Sequence, residues 1–216
     1  MQHVTQIYIL LFSFNKFVIF NFAKHLDFPV EFDVPGFENL VSVTDEVKIL
    51  GVLISSSLKW DSNTAFLCKK AYSRLWTLRR LKSMGVEPLF ILDVYIKEIR
   101  SVLELAVPVW HSGLTIKLAA DIERVQRVAV TIILGERLPY YLSLAILNIE
   151  PLSDRREKLC KKFASKTLKS RHSDIFVPSI TSYQTRHKQK FKTSHCNTKR
   201  FFNSPVNFLT RMLNDM

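Results

Sequence analysis

At Asp61 the spacing of apolar residues changes, and that change constrains the fold more than composition does. Between Asp61 and Gly85, Leu67, Ala71, Leu75, Leu78 and Leu81 recur every three or four residues, the period of a helix that buries one face. Asp61 or Ser62 can cap its start, and Gly85 can close it in the left-handed conformation. A second helix is expected from Pro88, a residue favoured in a first turn, through Leu92, Ile96, Ile99 and Leu103, stopping before Pro108. A third begins after Thr115, passes Leu118, Ile122, Val125, Ala129 and Ile133, and ends at Gly135. A shorter helix is expected from Tyr141 to Leu147, and a strongly basic one from Ser153 to Ser170.

Upstream of that change the pattern is one of strands. Aromatic and β-branched residues, broken by Pro29, Pro35 and Gly36, predict short strands at Phe17 to Phe20, Val30 to Phe32 and Val47 to Ile54. The apolar stretch from Gln2 to Phe22 is interrupted by Asn15 and Lys16. It falls short of the roughly 20 apolar residues that span a bilayer, and it lacks the basic start and small-residue cleavage site of a signal peptide. Tyr8, Phe12, Phe14, Phe17, Val18, Ile19 and Phe20 therefore read as buried strands, and a membrane partner is not expected. At the other end, beyond His172, apolar periodicity fades. Gln184 to Arg200 reads as an extended or disordered arm, followed by an apolar patch at Phe201, Phe202, Val206, Phe208 and Leu209. The expected class is mainly α: a helical bundle preceded by a small β-rich part, with segments at 1–60, 61–150 and 151–216.

Charge narrows the function classes. Lys and Arg number 31 against 19 Asp and Glu, a net of +12. Almost all of the excess lies in residues 151–216, where 15 cations meet 4 acids. Such asymmetry favours a polyanionic partner. Two basic clusters stand out. Arg74, Arg79, Arg80 and Lys82 surround Trp76, with Lys69 and Lys70 on the same helix. Arg155, Arg156, Lys158, Lys161, Lys162, Lys166 and Lys169 crowd another, offset only by Asp154 and Glu157. Faces like these attract phosphates through charge and counterion release, without base-specific geometry. Either cluster can also be a solvated helix face. For Trp60, Trp76 and Trp110, stacking on bases competes with packing against neighbouring helices, the commoner fate.

Catalytic chemistry finds no support. The five glycines are isolated, which excludes a Gly-rich phosphate loop. Cys68, Cys160 and Cys196 are widely spaced with no CxxC pair, which argues against a disulfide framework or zinc ribbon and suits a reducing compartment, cytoplasm or nucleus. His172, His187 and His195 match no zinc spacing with Cys160 or Cys196. Two-metal polymerisation needs grouped carboxylates, and the chain contains no Asp-Asp pair. Neither a metal nor a cofactor is expected.

The blocks VKILGVLISSSLKW, AYSRLWTLRRLKSMG, IRSVLELAVPVWHSGLT and DIERVQRVAVTIILG succeed one another between Val47 and Gly135. In that order they resemble the region after the catalytic core in reverse transcriptases of non-LTR (LINE-like) retrotransposons. Phe17 to Asn21 resembles the strand that comes after the catalytic turn, and Lys48 to Val52 the strand called the primer grip. Leu75 to Leu81, Arg100 to Trp110 and Ile122 to Gln126 resemble the helical thumb and the region beyond it, and Arg155, Arg156, Arg200, Phe201, Ser204 and Pro205 extend the similarity nearly to Met216. The resemblance implies a thumb-like bundle in which the catalytic carboxylates and the fingers would precede this chain. It implies no catalysis. It implies contacts to RNA or DNA through Lys69, Lys70, Arg74, Arg79, Arg80, Lys82, Arg155, Arg156, Lys158, Lys162, Lys166 and Lys169, and it names an intact reverse transcriptase as a further candidate partner. The competing reading is a protein-interaction module that uses exposed helix faces, or a decayed product with no function.

Overall fold

The computed structural model describes the backbone of residues 8–13, 16–21, 31–32, 41–42, 44–179 and 190–216, and side chains within 44–179 and 190–216. It is mainly α with a small β part. The chain divides into two compact units, Met1–Phe66 and Leu67–Met216.

Among the described residues, three antiparallel strand pairs make up the β part of the first unit. β1 (Tyr8–Ser13) pairs with β2 (Lys16–Asn21) in a register running from Tyr8 opposite Asn21 to Ser13 opposite Lys16. β3 (Glu31–Phe32) pairs with β4 (Val41–Ser42). The burial expected for Tyr8, Phe12, Phe14 and Phe17 to Phe20 lies outside the described side chains. The single strand expected over Val47 to Ile54 is instead a hairpin of β5 (Glu46–Ile49) and β6 (Val52–Ser55), with Ile49 opposite Val52. Its two-residue turn places Leu50 at φ 47° and Gly51 at φ 89°. Two positive φ values give the turn whose twist matches that of the strands it joins. Gly51 adopts this conformation without cost, whereas Leu50 is strained and 95% exposed. Leu53 N–H donates to Asn63 Oδ1 at 3.1 Å, and Ser62 Oγ donates to Glu46, so the hairpin is fastened to the start of the next helix.

That helix, α1 (Asp61–Ser83), buries Leu67, Cys68, Ala71, Leu75 and Leu78 along one side. Gly85, at φ 74°, ends it, and Val86 N–H reaches back to Leu81 O at 3.2 Å, satisfying a carbonyl that the helix leaves open. The expected second helix begins at Pro88 as α2 (Pro88–Val94), widens into a π-turn at Tyr95–Arg100 and ends as α3 (Ser101–Leu103). Pro108 then lies in the first turn of α4 (Val107–Trp110), after Ala106 at φ 51°. α5 (Ile116–Leu134) starts at Thr115, whose Oγ1 accepts from Leu118 N–H at 3.3 Å, and stops at Gly135 at φ 83°. α6 (Tyr140–Leu147) and α7 (Leu152–Leu168) come next.

The core of the second unit is built from Tyr95, Ile99, Leu103, Trp110, Ile122, Val125, Ile133 and Leu152, all essentially inaccessible to solvent. A hydrogen-bonded thread crosses it. Tyr95 Oη donates to Gln126 Oε1 at 2.5 Å, while Gln126 Nε2 donates to Tyr140 Oη at 3.0 Å and Glu150 O at 2.8 Å. Tyr140 in turn donates to Glu123, which also accepts from Leu152 N–H at 3.0 Å. Satisfying buried polar groups in this way fixes the π-turn, α5, α6 and the start of α7 against one another.

The C-terminal patch expected near Phe201 to Leu209 is two helices, α8 (Lys199–Phe202) and α9 (Pro205–Asn214). α9 buries Leu209, Met212 and Leu213 and packs beside α7 and α4. Part of the expected arm is tied down as well: Asn214 accepts from Phe191 N–H at 2.9 Å and donates to Phe191 O at 3.0 Å. Residues 184–189 of that arm lie outside the described residues.

Candidate nucleic-acid interface

The expected cations separate into those held by the fold and those left to solvent. On α1, Arg74 donates to the backbone carbonyl of Glu98 and faces its carboxylate at 3.4 Å. Lys82 donates to Ile133 O at 2.8 Å, at the end of α5. Both lie on the flanks of the buried side of α1, where they meet the π-turn and the end of α5, so neither belongs to an open phosphate-binding face. Lys69, Lys70, Arg79 and Arg80 lie on the exposed side. Among the described residues no carboxylate pairs with them.

α7 sorts its cations in the same way, and two of the expected residues do not lie on its open face. Arg156 is not on a solvated face: it is only 2% exposed, in a stripe with Leu152, Cys160 and Ala164 at four-residue spacing. Its Nε and Nη1 find no hydrogen-bond partner among the described residues, and neither does the buried Glu123 Oε2. Burial lowers the Arg156 pKa, and the Glu123 charge is the main force opposing that shift. Arg155, expected to reach phosphate, instead donates through Nε and Nη2 to Glu104, the Nη2 contact measuring 3.2 Å. Glu104 also faces Arg100 Nε at 3.4 Å, so one carboxylate serves two guanidinium groups. The hydrogen bond that Arg155 donates to Glu104 raises the Arg155 pKa.

α7 and its C-terminal cap leave open Lys162, Lys166 and Lys169, exposed and, among the described residues, without a carboxylate partner. Lys158 continues their face and is exposed, with Glu150 at 2.6 Å. Lys161, on the adjoining side, pairs with Glu157 at 2.8 Å. Exposed pairs of this kind contribute little and are easily exchanged for another anion.

Three tryptophans meet different fates. Trp60 and Trp110 are buried, the latter donating Nε1–H to Leu105 O at 2.8 Å. Trp76 is 66% exposed, between the open cations of α1. Sequence spacing alone did not distinguish it from the other two.

A cleft of about 620 Å³ near the C-terminus is lined by His195, Cys196, Asn207, Arg211 and Asp215 among others. Its guanidinium is engaged: Arg211 donates to Phe202 O at 2.6 Å and stacks on the Phe202 ring at 3.6 Å. Among the described residues no three His, Cys, Asp or Glu side chains come together as a metal site, and no helix is long and apolar enough to cross a membrane. Burial pushes the Cys68 thiol up to about 11 and the Cys160 thiol up to about 12, which keeps both protonated and poorly nucleophilic. No protein-family model, curated protein or solved structure matches the chain.

Proposed function

We propose that this chain is a non-catalytic protein that binds RNA or DNA without sequence preference, through the open cations of α1 and α7. One observation carries the reading. After the fold has engaged Arg74, Lys82 and Arg155 and buried Arg156, seven cations, Lys69, Lys70, Arg79, Arg80, Lys162, Lys166 and Lys169, remain exposed without a carboxylate partner among the described residues. Lys162, Lys166 and Lys169, spaced three or four residues apart, present a continuous positive strip, Lys69, Lys70, Arg79 and Arg80 add charge on the exposed side of α1, and a phosphate backbone is the polyanion that such surfaces suit. The ordered blocks between Val47 and Gly135 that resemble a reverse-transcriptase thumb support the same chemistry. The test is a triple charge reversal, K162E/K166E/K169E, assayed by fluorescence anisotropy on labelled oligonucleotides. Removing one phosphate-binding cation should flatten the log-log salt slope by about 0.7 to 0.9, so the triple variant should flatten it by about 2 to 3. Unchanged affinity and slope in a folded variant would remove α7 from the interface.

A second reading has its own support in α6. Tyr141, Leu142 and Ile146 are exposed on a helix that carries no charge, while Leu144 and Leu147 face the core. An uncovered apolar face of this kind suits a second copy of the chain. Light scattering at rising concentration tests it: dimerisation lost in I146E supports the reading, and a monomer at every concentration refutes it.

A further inference from the structure

We propose that the crest of α1 is a site for single-stranded nucleic acid, in which the Trp76 indole stacks on a base while Lys69, Arg79 and Arg80 take the flanking phosphates. This rests on the nucleic-acid reading above and deepens it by naming the strand state. At 100° per residue, Lys69, Ser73, Trp76, Arg80 and Ser83 fall along one line opposite the buried side of the helix, with Tyr72 and Arg79 beside it. Lys69 lies roughly 10 Å and Arg80 roughly 6 Å from Trp76 along the axis, at about 1.5 Å rise per residue. An aromatic platform between cations can serve any unpaired base, because every base has a π-face, whereas a duplex keeps its bases stacked on one another and offers this indole only backbone.

Neighbouring groups leave the crest open. The sole acid of α1 is Asp61, in its first turn. Asp121 on α5, whose charge is felt at Tyr72, is paired with Arg124 at 3.6 Å. An anionic bilayer is the less suitable occupant, since an interfacial helix needs a broad apolar face and around Trp76 Tyr72 is joined only by Ser73, Thr77, Ser83 and cations.

The experiment uses the whole chain, with oligothymidylate and oligouridylate as single strands and a blunt duplex of equal phosphate number as the control. Trp60 and Trp110 are buried, so quenching of the solvent-exposed indole reports on Trp76. The expected result is quenching by both single strands but not by the duplex. Trp76→Ala should weaken single-strand binding by about tenfold with little effect on the duplex, and Trp76→Phe should retain most of the affinity. A difference between the two single strands would show whether a 2′-hydroxyl is read. Single-strand binding unchanged in W76A, or saturated without quenching, overturns this inference while salt-dependent binding keeps the wider reading standing. Absence of any salt-dependent binding overturns both. Quenching by phosphatidylserine vesicles with no response to oligonucleotides would assign the crest to a membrane and likewise overturn it.

Discussion

Replacing Glu104 with glutamine removes the charge that holds Arg155 while preserving side-chain shape. Glu104 is 15% exposed and accepts from Arg155 through both of its oxygens, with Arg100 at 3.4 Å on the other side. Breaking a fully buried pair costs about 3 to 5 kcal/mol, because the surviving charge is stranded. Arg155 is 32% exposed and can turn toward water, and a glutamine oxygen still accepts one hydrogen bond, so the expected loss is smaller, about 2 kcal/mol. For a unit of this size that corresponds to a fall in Tm of about 4 to 8 °C. Urea denaturation followed by circular dichroism measures it, and R155M and R155M/E104Q complete a double-mutant cycle. The two single variants should each destabilise, and the double variant should cost well under their sum. R155M should also leave oligonucleotide affinity unchanged, since its guanidinium is already engaged. A change below about 0.5 kcal/mol in E104Q, or an R155M variant that loses nucleic-acid affinity, would refute this account of α7.

Local geometry sets two further outcomes. Gly135→Ala places a Cβ at φ 83° and 3.2 Å from Lys82 Cε, whereas a Cβ at Gly85, φ 74°, meets nothing within 4 Å. G135A should therefore cost more than the roughly 1 kcal/mol of left-handed strain expected for G85A, and equal losses in urea titrations would show that Lys82 yields freely. Among the thiols, Cys196 should react with a thiol reagent in the native chain, while Cys68 and Cys160, buried and raised in pKa, should react only on unfolding. Equal rates at all of them would contradict the packing described for α1 and α7.

The helices were legible where local chemistry marks them. Thr115 and Gly135 bracket α5 because a hydroxyl cap and a left-handed glycine act within a few residues, with no need for the rest of the fold. The hairpin at Leu50 and Gly51 was hidden, since a turn of this type is usually announced by Asn or Asp before the glycine, and leucine gives no such signal. α9 shows in the sequence as an apolar patch, although Ser204 and Pro205, with Leu209, Met212 and Leu213 after them, carry a helical start and period. Within the candidate site, a run of cations along the chain did not reveal which of them the fold would engage. Arg156 sits in register with Leu152, Cys160 and Ala164, so four-residue spacing to small and apolar residues was the signal that could have marked it as buried. Nothing local marks Arg155 as the partner of Glu104, 51 residues away in sequence, because that pairing exists only once α3 and α7 are packed.

The dependence of oligonucleotide affinity on salt, measured on the intact chain from low to near-physiological ionic strength, tests the central claim most directly. Engagement of the three open cations of α7 alone gives a log-log slope of about −2 to −3, and engagement of α1 as well steepens it to about −5 to −6, with little change among base sequences. A slope shallower than about −1, or affinity that tracks base sequence and ignores salt, would contradict it.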